Sequence, residues 1–237
     1  MGGMGGGLFE RVFTRVCHVK NGYEDRERHI RREFSSRGVP VDFYLDFDAD
    51  EIEPNFAEAG LPPPIVSLGM KHHGIWRDFL ASGLPYCLVF EDDVFLAKDF
   101  VPKLSACIDE LGDRNAVVYL GNAGNYYIPY FQLRRGQHLY PARHGRCTDS
   151  YLITRPVAAA RLAWFEQNRM VAAMDHQIDA IDTETGTPIL WFERPIVVQG
   201  THTGAFASSL GTDRPRWQKQ ILWHWKKSTR QLFGRMR

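Results

Sequence analysis

The most constraining feature of this sequence is an apolar run that ends in three consecutive acids. Residues 86–90 are Tyr-Cys-Leu-Val-Phe, and Glu91, Asp92 and Asp93 follow directly. An apolar run of this length and composition predicts a buried strand. Because an unpaired carboxylate is costly to bury, we expect the three acids where the strand leaves the sheet, at its carboxyl end.

The spacing of the three acids indicates what they can do together. Side chains alternate along an extended chain, so Glu91 and Asp93 are expected on one side and Asp92 on the other. Glu91 and Asp93, roughly 6.6 Å apart along the backbone, can converge on one hard divalent cation. Mg²⁺ or Mn²⁺ suits such oxygen ligands and keeps positions open for phosphates. The alternative is a solvated acidic turn after a core strand.

Size, charge and cysteine usage narrow the class of protein. The chain has 237 residues and is 44% hydrophobic, enough for one large domain or two small ones. A formal net charge of +1 gives no overall field that would attract nucleic acid. The four cysteines are far apart, which indicates free thiols in a reducing compartment. With no signal peptide and no apolar run of membrane-spanning length, we expect a cytoplasmic protein.

The order of elements predicts an α/β fold. The expected strands are 12–19, 41–45, 86–91, 116–120, 147–154, 189–192 and 195–199, and the expected helices are 24–37, 67–81, 99–111, 156–165 and 172–181. Alternation of strands and helices predicts a mostly parallel central sheet with helices on both faces. Ligands of such sheets bind outside the carboxyl ends of the strands, where the acidic triplet falls.

We expect a single domain between two terminal segments. Residues 1–9 are glycine-rich and predict a flexible tail, and residues 10–212 form the domain, with a nucleotide-binding half at about 10–125 and an acceptor half at about 126–212. Residues 213–237 are basic and amphipathic. This segment either contacts an anionic membrane surface or packs on the domain with its charges in water.

The residues around the triplet also resemble glycosyltransferase family 25. The segment from Ser67 to Val94 carries His72, Trp76 and the acidic triplet in the arrangement of that family. The further matching positions are Arg26, Arg28, 148–155, Asp175 and 199–209. The resemblance implies a single GT-A-like domain. It also implies inverting, metal-dependent transfer of a sugar from a nucleotide sugar, a UDP-sugar, to a glycan or glycolipid hydroxyl.

The resemblance implies roles for individual residues. Asp93 would bind Mn²⁺ or Mg²⁺ directly, and Glu91 would contact the ribose or a metal-bound water. His202 either completes the metal shell or is an ordinary loop residue. The residues assigned to donor binding are Arg26, Arg28, Lys71, Glu91, Asp92 and Asp93, although a serine is expected in place of Lys71.

Histidines and one aspartate have competing interpretations. We favour packed or exposed side chains for His72 and His73 over roles as ligands. Asp175 is the expected catalytic base, at the start of a helix whose dipole favours its ionised form. Its neighbour His176 is the rival for that role.

Two other functions compete with glycosyl transfer. A metal-dependent phosphohydrolase or nucleotidyltransferase would use the same acidic strand end, and a binding module would carry a decayed site. A lipid-linked acceptor would make peripheral contact with the inner membrane face useful to a transferase.

Overall fold

A seven-stranded sheet forms the centre of the computed structural model, which describes residues 6–122, 126–203, 205–206, 225 and 227–232. The strands are β1 (Val12–Cys17), β2 (Phe43–Tyr44), β3 (Tyr86–Glu91), β4 (Val94–Leu96), β5 (Val117–Tyr119), β6 (Leu139–Ala142), β7 (Ser150–Thr154), β8 (Ile189–Phe192) and β9 (Val197–Gln199). The sheet order is β2-β1-β3-β7-β5-β8-β6, and β4 pairs with β9 separately.

Five of the seven strands point in the same direction. β1 is parallel to β2 and β3, and β5 is parallel to β8. β7 lies antiparallel between β3 and β5, and β6 is antiparallel to β8 at the sheet edge. The carboxyl ends of β1, β3, β5 and β8 therefore lie at one edge of the sheet.

Helices cover both faces of this sheet. They are α1 (Gly6–Phe9), α2 (Glu24–Ser35), α3 (Pro63–Ser82), α4 (Phe100–Leu111), α5 (Arg155–Gln167), α6 (Met174–Glu184) and α7 (Gly200–Thr203), with a 3-10 turn at Tyr130–Gln132. Buried side chains of α2 and α4 pack on one face, and those of α3, α5 and α6 pack on the other. The predicted fold class is confirmed.

Some boundaries differ from the sequence prediction. Helix α3 begins at Pro63 instead of Ser67, because a proline in the first turn has no backbone N–H to lose. Residues 6–9 form a short helix, and Leu8 is buried, so this end of the expected flexible tail is packed on the domain. Strands β4 and β6 were not predicted, and β2 is shorter than expected.

No helix among the residues that the structure describes is long and apolar enough to cross a membrane. Of the basic segment 213–237, the described residues are 225 and 227–232, and they are helical. The remainder of that segment lies outside the described residues.

His72 lies in the core between the sheet and the face covered by α3, α5 and α6, and its contacts show how that core is held together. Its Nδ1 lies 2.7 Å from the hydroxyl of Tyr151, which also accepts a hydrogen bond from Nε1 of Trp76. The side chain is fully buried, as the packed interpretation of this residue predicts. Burial, with a smaller effect of the nearby Arg161 charge, lowers the pKa of His72 to about 3.

This pKa predicts loss of stability in acid. The folded state keeps His72 neutral, whereas the unfolded chain takes up a proton near pH 6.5, so unfolding becomes easier as pH falls from 6.5 towards 3. The contribution is about 1.4 kcal/mol per pH unit within that window. In urea titrations, His72→Asn should lower stability but flatten its dependence on pH between 4.5 and 6.5. His176→Asn, at an exposed position, should keep the wild-type slope. Equal slopes for all three proteins would contradict the assignment.

Candidate active site

The acidic triplet lies at the carboxyl end of β3, as predicted. Glu91 is the last residue of β3, and Asp92 and Asp93 form the turn into β4. The strand before them is completely buried, which the composition of residues 86–90 explains. Because the turn faces the edge where parallel strands end, the three carboxylates lie beside residues from several elements.

Asp92 turns towards β1 and α2. Its Oδ2 lies 2.8 Å from Nδ1 of His18, and its Oδ1 accepts a hydrogen bond of 2.7 Å from Nη1 of Arg26. Both partners are largely buried. Each oxygen of Asp92 is thus bonded to a basic side chain, and this carboxylate holds Arg26 in place.

Glu91 faces the opposite way, towards the residues before β7 and the end of β9. Its Oε1 accepts a hydrogen bond from Oγ1 of Thr148 (2.7 Å), and its Oε2 accepts one from Nε2 of Gln199 (2.9 Å). Burial raises the pKa of Glu91 to about 8, and the charge of Asp93 adds to this effect. The carboxyl group therefore lies where a further positive charge would stabilise its ionised form.

Asp93 is the most buried acid of the triplet, with 1% of its surface exposed. Its Oδ2 accepts a hydrogen bond of 3.0 Å from the backbone N–H of Thr201. Its Oδ1 is buried and has no hydrogen-bond partner among the described residues. Burial raises the pKa of Asp93, against the opposing effects of the Thr201 hydrogen bond and the Arg26 charge.

A fourth carboxylate, Asp149, joins this group. It precedes β7 and is fully buried, and one oxygen accepts a hydrogen bond from the N–H of Ser150. Its Oδ2 finds no partner within the described part of the chain. Burial raises the pKa of Asp149 to about 7, and the Asp93 charge contributes. A Cβ atom at Gly121 would come within 2.1 Å of this carboxylate, so the site requires glycine there.

The chemistry of these carboxyl groups indicates whether a divalent cation can bind between them. Glu91, Asp93 and Asp149 bring three carboxyl groups into a buried space, where a cation would favour their ionised forms. Oδ1 of Asp93 is a hard oxygen without a partner among the described residues. Such an atom suits Mg²⁺ or Mn²⁺. No three His, Cys, Asp or Glu side chains in the described ranges converge as a complete metal site. Asp93 therefore fits as a direct ligand, with phosphates and water as the other ligands of a Mg²⁺-type ion.

A cavity of about 370 Å³ opens beside the triplet. Its walls combine the acidic turn with basic, polar and aromatic side chains from the surrounding elements. The polar and aromatic lining residues include His18, Tyr23, Arg26, Ser67, Lys71, Glu91, Asp92, Asp93, Gln199 and Thr201. This volume suits a small-molecule ligand, and the basic side chains suit an anionic one.

Lys71 lines this cavity with its charge already paired. Its Nζ donates to Oδ1 of Asp48 (2.8 Å) and to the carbonyl of Asp46 (2.7 Å), and the side chain is almost fully buried. Asp48 is buried by this contact with Lys71, whereas the nearby acids Asp46 and Asp50 are exposed. Ser67 does not cap α3, and its Oγ donates instead to the carbonyl of Phe47.

Arg28 is not brought to the site. It is exposed and forms an ion pair with Asp25 on the same helix. Successive helical residues point about 100° apart, so Arg28 lies on nearly the opposite side of α2 from Arg26. The structure gives no support to Arg28 as a donor-binding residue.

The candidate base lies outside the cavity lining. Asp175 is half-buried in the first turn of α6, and His176 beside it is exposed. The charges of Asp149, Glu91 and Asp175 add to burial in raising the pKa of the Cys147 thiol, so Asp175 belongs to the same acidic neighbourhood. The side chain of His202 lies outside the described residues, although its neighbour Thr201 contacts Asp93.

Several residues of the site were not predicted from the sequence. His18, Thr148, Gln199 and Thr201 all bond the triplet, and Asp149 is the fourth carboxylate of this group. For Gln199 and Thr201 the signal was present, because the segment 199–209 carries part of the family resemblance. His18 had no signal, since its partner Asp92 is 74 positions away.

The fold and the site define a class: an α/β protein built on a seven-stranded sheet, in which an acidic strand end faces a ligand-sized cavity. The family comparison is more specific. The sequence profile described as "Glycosyltransferase family 25 (LPS biosynthesis protein)" matches residues 69–178, which include the acidic triplet, Asp149 and Asp175. The resemblance to glycosyltransferase family 25 is confirmed.

Curated relatives carry related names. The chain is 32% identical over 92 residues to lipooligosaccharide biosynthesis protein lic2B of Haemophilus influenzae, covering 35% of this chain and 34% of that protein. It is 28% identical over 247 residues to lacto-N-neotetraose biosynthesis glycosyltransferase LgtE of Neisseria gonorrhoeae. That match covers 88% of this chain and 82% of that protein.

The LgtE protein of Neisseria meningitidis serogroup B is 36% identical over 84 residues, covering 32% of this chain and 30% of that protein. The matches to lic2B and to this LgtE thus span about a third of those relatives. Among solved structures, apo mouse xyloside xylosyltransferase 1 aligns with 10% identity and a TM-score of 0.47, over 86% of this chain and all of that one.

Proposed function

We propose that this protein is a glycosyltransferase that moves a hexose from a UDP-sugar to a hydroxyl group of a glycan or glycolipid, with a divalent metal and with inversion. One observation carries the proposal: Oδ1 of Asp93 is buried and has no hydrogen-bond partner among the described residues. Asp93 lines a cavity that is also lined by Arg26. The match to family 25 supports the reaction class. The relatives' names, which refer to lipooligosaccharide and lacto-N-neotetraose synthesis, support the acceptor class.

The residues of the chain divide the work of donor binding. Asp93 would hold the metal, which when bound neutralises charge on the leaving diphosphate. Arg26, fixed by Asp92, supplies a guanidinium group in the cavity that can bind phosphate oxygens. Thr148 and Gln199 fix both oxygens of Glu91, so this carboxylate is held for the ribose or for a metal-bound water. Lys71 stabilises the loop around Asp48, which forms part of the cavity wall.

One assay separates this proposal from its competitors. The protein is incubated with Mn²⁺, a panel of nucleotide sugars and a panel of glycan and glycolipid acceptors, and the released phosphorus species are identified. Nucleoside diphosphate released only with acceptor present supports glycosyl transfer. Orthophosphate or pyrophosphate would indicate the phosphohydrolase or nucleotidyltransferase, and no release with any donor and acceptor would favour a binding module.

Asp175 is proposed as the base that removes the proton of the acceptor hydroxyl. We expect Asp175→Asn to keep UDP binding but to reduce transfer at least roughly a hundredfold, the low end for loss of a general base. Steady-state rates and UDP titrations measure the two effects separately. His176→Ala is the matched control, because this exposed neighbour should leave transfer nearly unchanged. An inactive His176→Ala with a near-normal Asp175→Asn would give the role to the histidine.

A further inference from the structure

Described residues of two basic segments that are far apart in the sequence are in contact in the structure. Residues 114–148 and 214–237 contain no aspartate or glutamate, and together they hold thirteen of the chain's 29 lysines and arginines. The hydroxyl of Tyr130, in the first segment, donates a hydrogen bond of 2.7 Å to Oε1 of Gln231 in the second. A chain with a net charge of only +1 therefore concentrates positive charge in two stretches of its sequence. Described residues of the two stretches meet at this hydrogen bond.

Large apolar side chains are exposed at the same place. Six large hydrophobic residues are exposed within the described part of the chain, and four of them are Tyr130, Phe131, Trp225 and Leu232. Phe131 is 75% exposed and Trp225 is 62% exposed. Trp225 and residues 227–232 are helical. A spacing of seven residues corresponds to about two helical turns, so Trp225 and Leu232 are expected on one helix face. Gln231, which bonds Tyr130, immediately precedes Leu232.

Exposed arginines flank these apolar side chains. Arg134 and Arg135 follow the turn at Tyr130–Gln132, and both are exposed. The guanidinium of Arg194 lies over the ring of Tyr130 at 5.0 Å. We call the set Tyr130, Phe131, Arg134, Arg135, Trp225 and Leu232 the aromatic–basic surface.

The connection that carries this surface belongs to the active-site edge of the sheet. It leaves the carboxyl end of β5 and returns at the start of β6, where Leu139 pairs with Phe192 at the carboxyl end of β8. The acidic triplet lies at the carboxyl end of β3, which points in the same direction as β5 and β8. A ligand or membrane that contacts this connection would therefore lie on the side of the protein where the cavity opens.

We propose that the aromatic–basic surface docks the protein onto an anionic lipid bilayer. The arginines match anionic headgroups, and the apolar side chains enter the interface between headgroups and acyl chains. A soluble polyanion would pair with the arginines but leave Phe131, Trp225 and Leu232 in water, so a bilayer accounts for both kinds of side chain. The inference rests on exposure and charge and does not depend on the proposed transferase activity.

Vesicle flotation with the full-length chain tests the proposal. We expect binding to phosphatidylglycerol-containing vesicles and little binding to phosphatidylcholine alone. Arg134→Glu/Arg135→Glu should weaken binding roughly thirtyfold or more, because each basic residue near an anionic surface contributes about fivefold. Phe131→Ser, and independently Leu232→Ser, should weaken it roughly tenfold through loss of apolar insertion.

Matched controls change exposed residues elsewhere. Val171→Ser removes an exposed apolar side chain, and Arg32→Glu/Arg169→Glu makes the same charge change outside the surface. Both controls should stay within about threefold of wild type, since long-range charge effects are screened. Absence of vesicle binding by the wild type, or equal losses in variants and controls, would overturn the proposal. Binding to heparin that survives Phe131→Ser, together with weak vesicle binding, would instead identify a soluble polyanion.

Discussion

Asp93→Asn is expected to abolish the Mn²⁺-dependent part of UDP binding and to reduce transfer at least roughly a hundredfold, since a metal at the diphosphate contributes several kcal/mol. The reason is the position of Oδ1, which is buried without a hydrogen-bond partner among the described residues. An amide in its place is a poor ligand for a hard cation. Isothermal titration of UDP with and without Mn²⁺ measures the effect.

The fold should survive this substitution. Because the pKa of Asp93 is raised, its ionised form is disfavoured in the folded state, and a neutral amide removes that penalty. The Thr201 hydrogen bond to the side-chain oxygen can be kept. We therefore expect the metal-free variant to melt at or above the wild-type temperature, which separates loss of a ligand from loss of structure.

Asp92→Asn is the matched control, one residue away on the chain. Both oxygens of Asp92 are bonded to His18 and Arg26, so it has no oxygen to offer a metal. This variant should bind UDP more weakly through loss of the Arg26 ion pair, yet Mn²⁺ should still enhance binding. If Asp92→Asn removed the Mn²⁺ effect and Asp93→Asn kept it, the orientation of the acidic turn would be wrong.

The features that the sequence predicted well are those that local residue patterns determine. The apolar run at 86–90 and the acids after it fixed a buried strand and its exit, and the alternation of elements fixed the class of sheet. Side-chain alternation also anticipated that Glu91 and Asp93 turn away from Asp92. These features depend on neighbours in sequence, and each lies within a few residues of its cause.

The missed features depend on contacts between distant residues. Lys71 buries Asp48 from 23 positions away, and no local pattern distinguishes Asp48 from its exposed acidic neighbours. Strand β6 contains Pro141, which argues against a strand in sequence but is tolerated at the edge of a sheet. Arg28 lies away from the cavity that Arg26 lines, because residues two apart on a helix point away from each other.

A buried ion pair beneath the site gives the other large expected effect. Arg161 of α5 and Asp182 of α6 are both completely buried and form two hydrogen bonds, Nε to Oδ1 at 2.9 Å and Nη2 to Oδ2 at 2.7 Å. The guanidinium also lies over the rings of Trp76 and Tyr151, at 5.1 and 5.4 Å. Burial opposes the charge on Arg161, but the attraction of Asp182 outweighs it and raises the pKa of the guanidinium.

Breaking this pair from either side should destabilise the fold strongly. Arg161→Met leaves the Asp182 carboxylate buried without a partner, and Asp182→Asn does the same to the guanidinium. Each is expected to lower the free energy of unfolding by about 3–5 kcal/mol. Urea titration at pH 7 measures the loss, and the exposed pair of Arg28 and Asp25 is the control, since Arg28→Met should change stability by less than about 1 kcal/mol.

The double variant Arg161→Met/Asp182→Leu shows whether the single variants lose stability because one buried charge is left without its partner. Removing both charges and filling the space with apolar groups should recover most of the loss, because neither buried charge then lacks a partner. Side chains of α5 and α6, the two helices that this pair joins, pack against Tyr151 and Ile153 of β7. Asp149 directly precedes this strand. A double variant as unstable as the singles would show that Arg161 contributes mainly through its packing on Trp76 and Tyr151 and not through its charge.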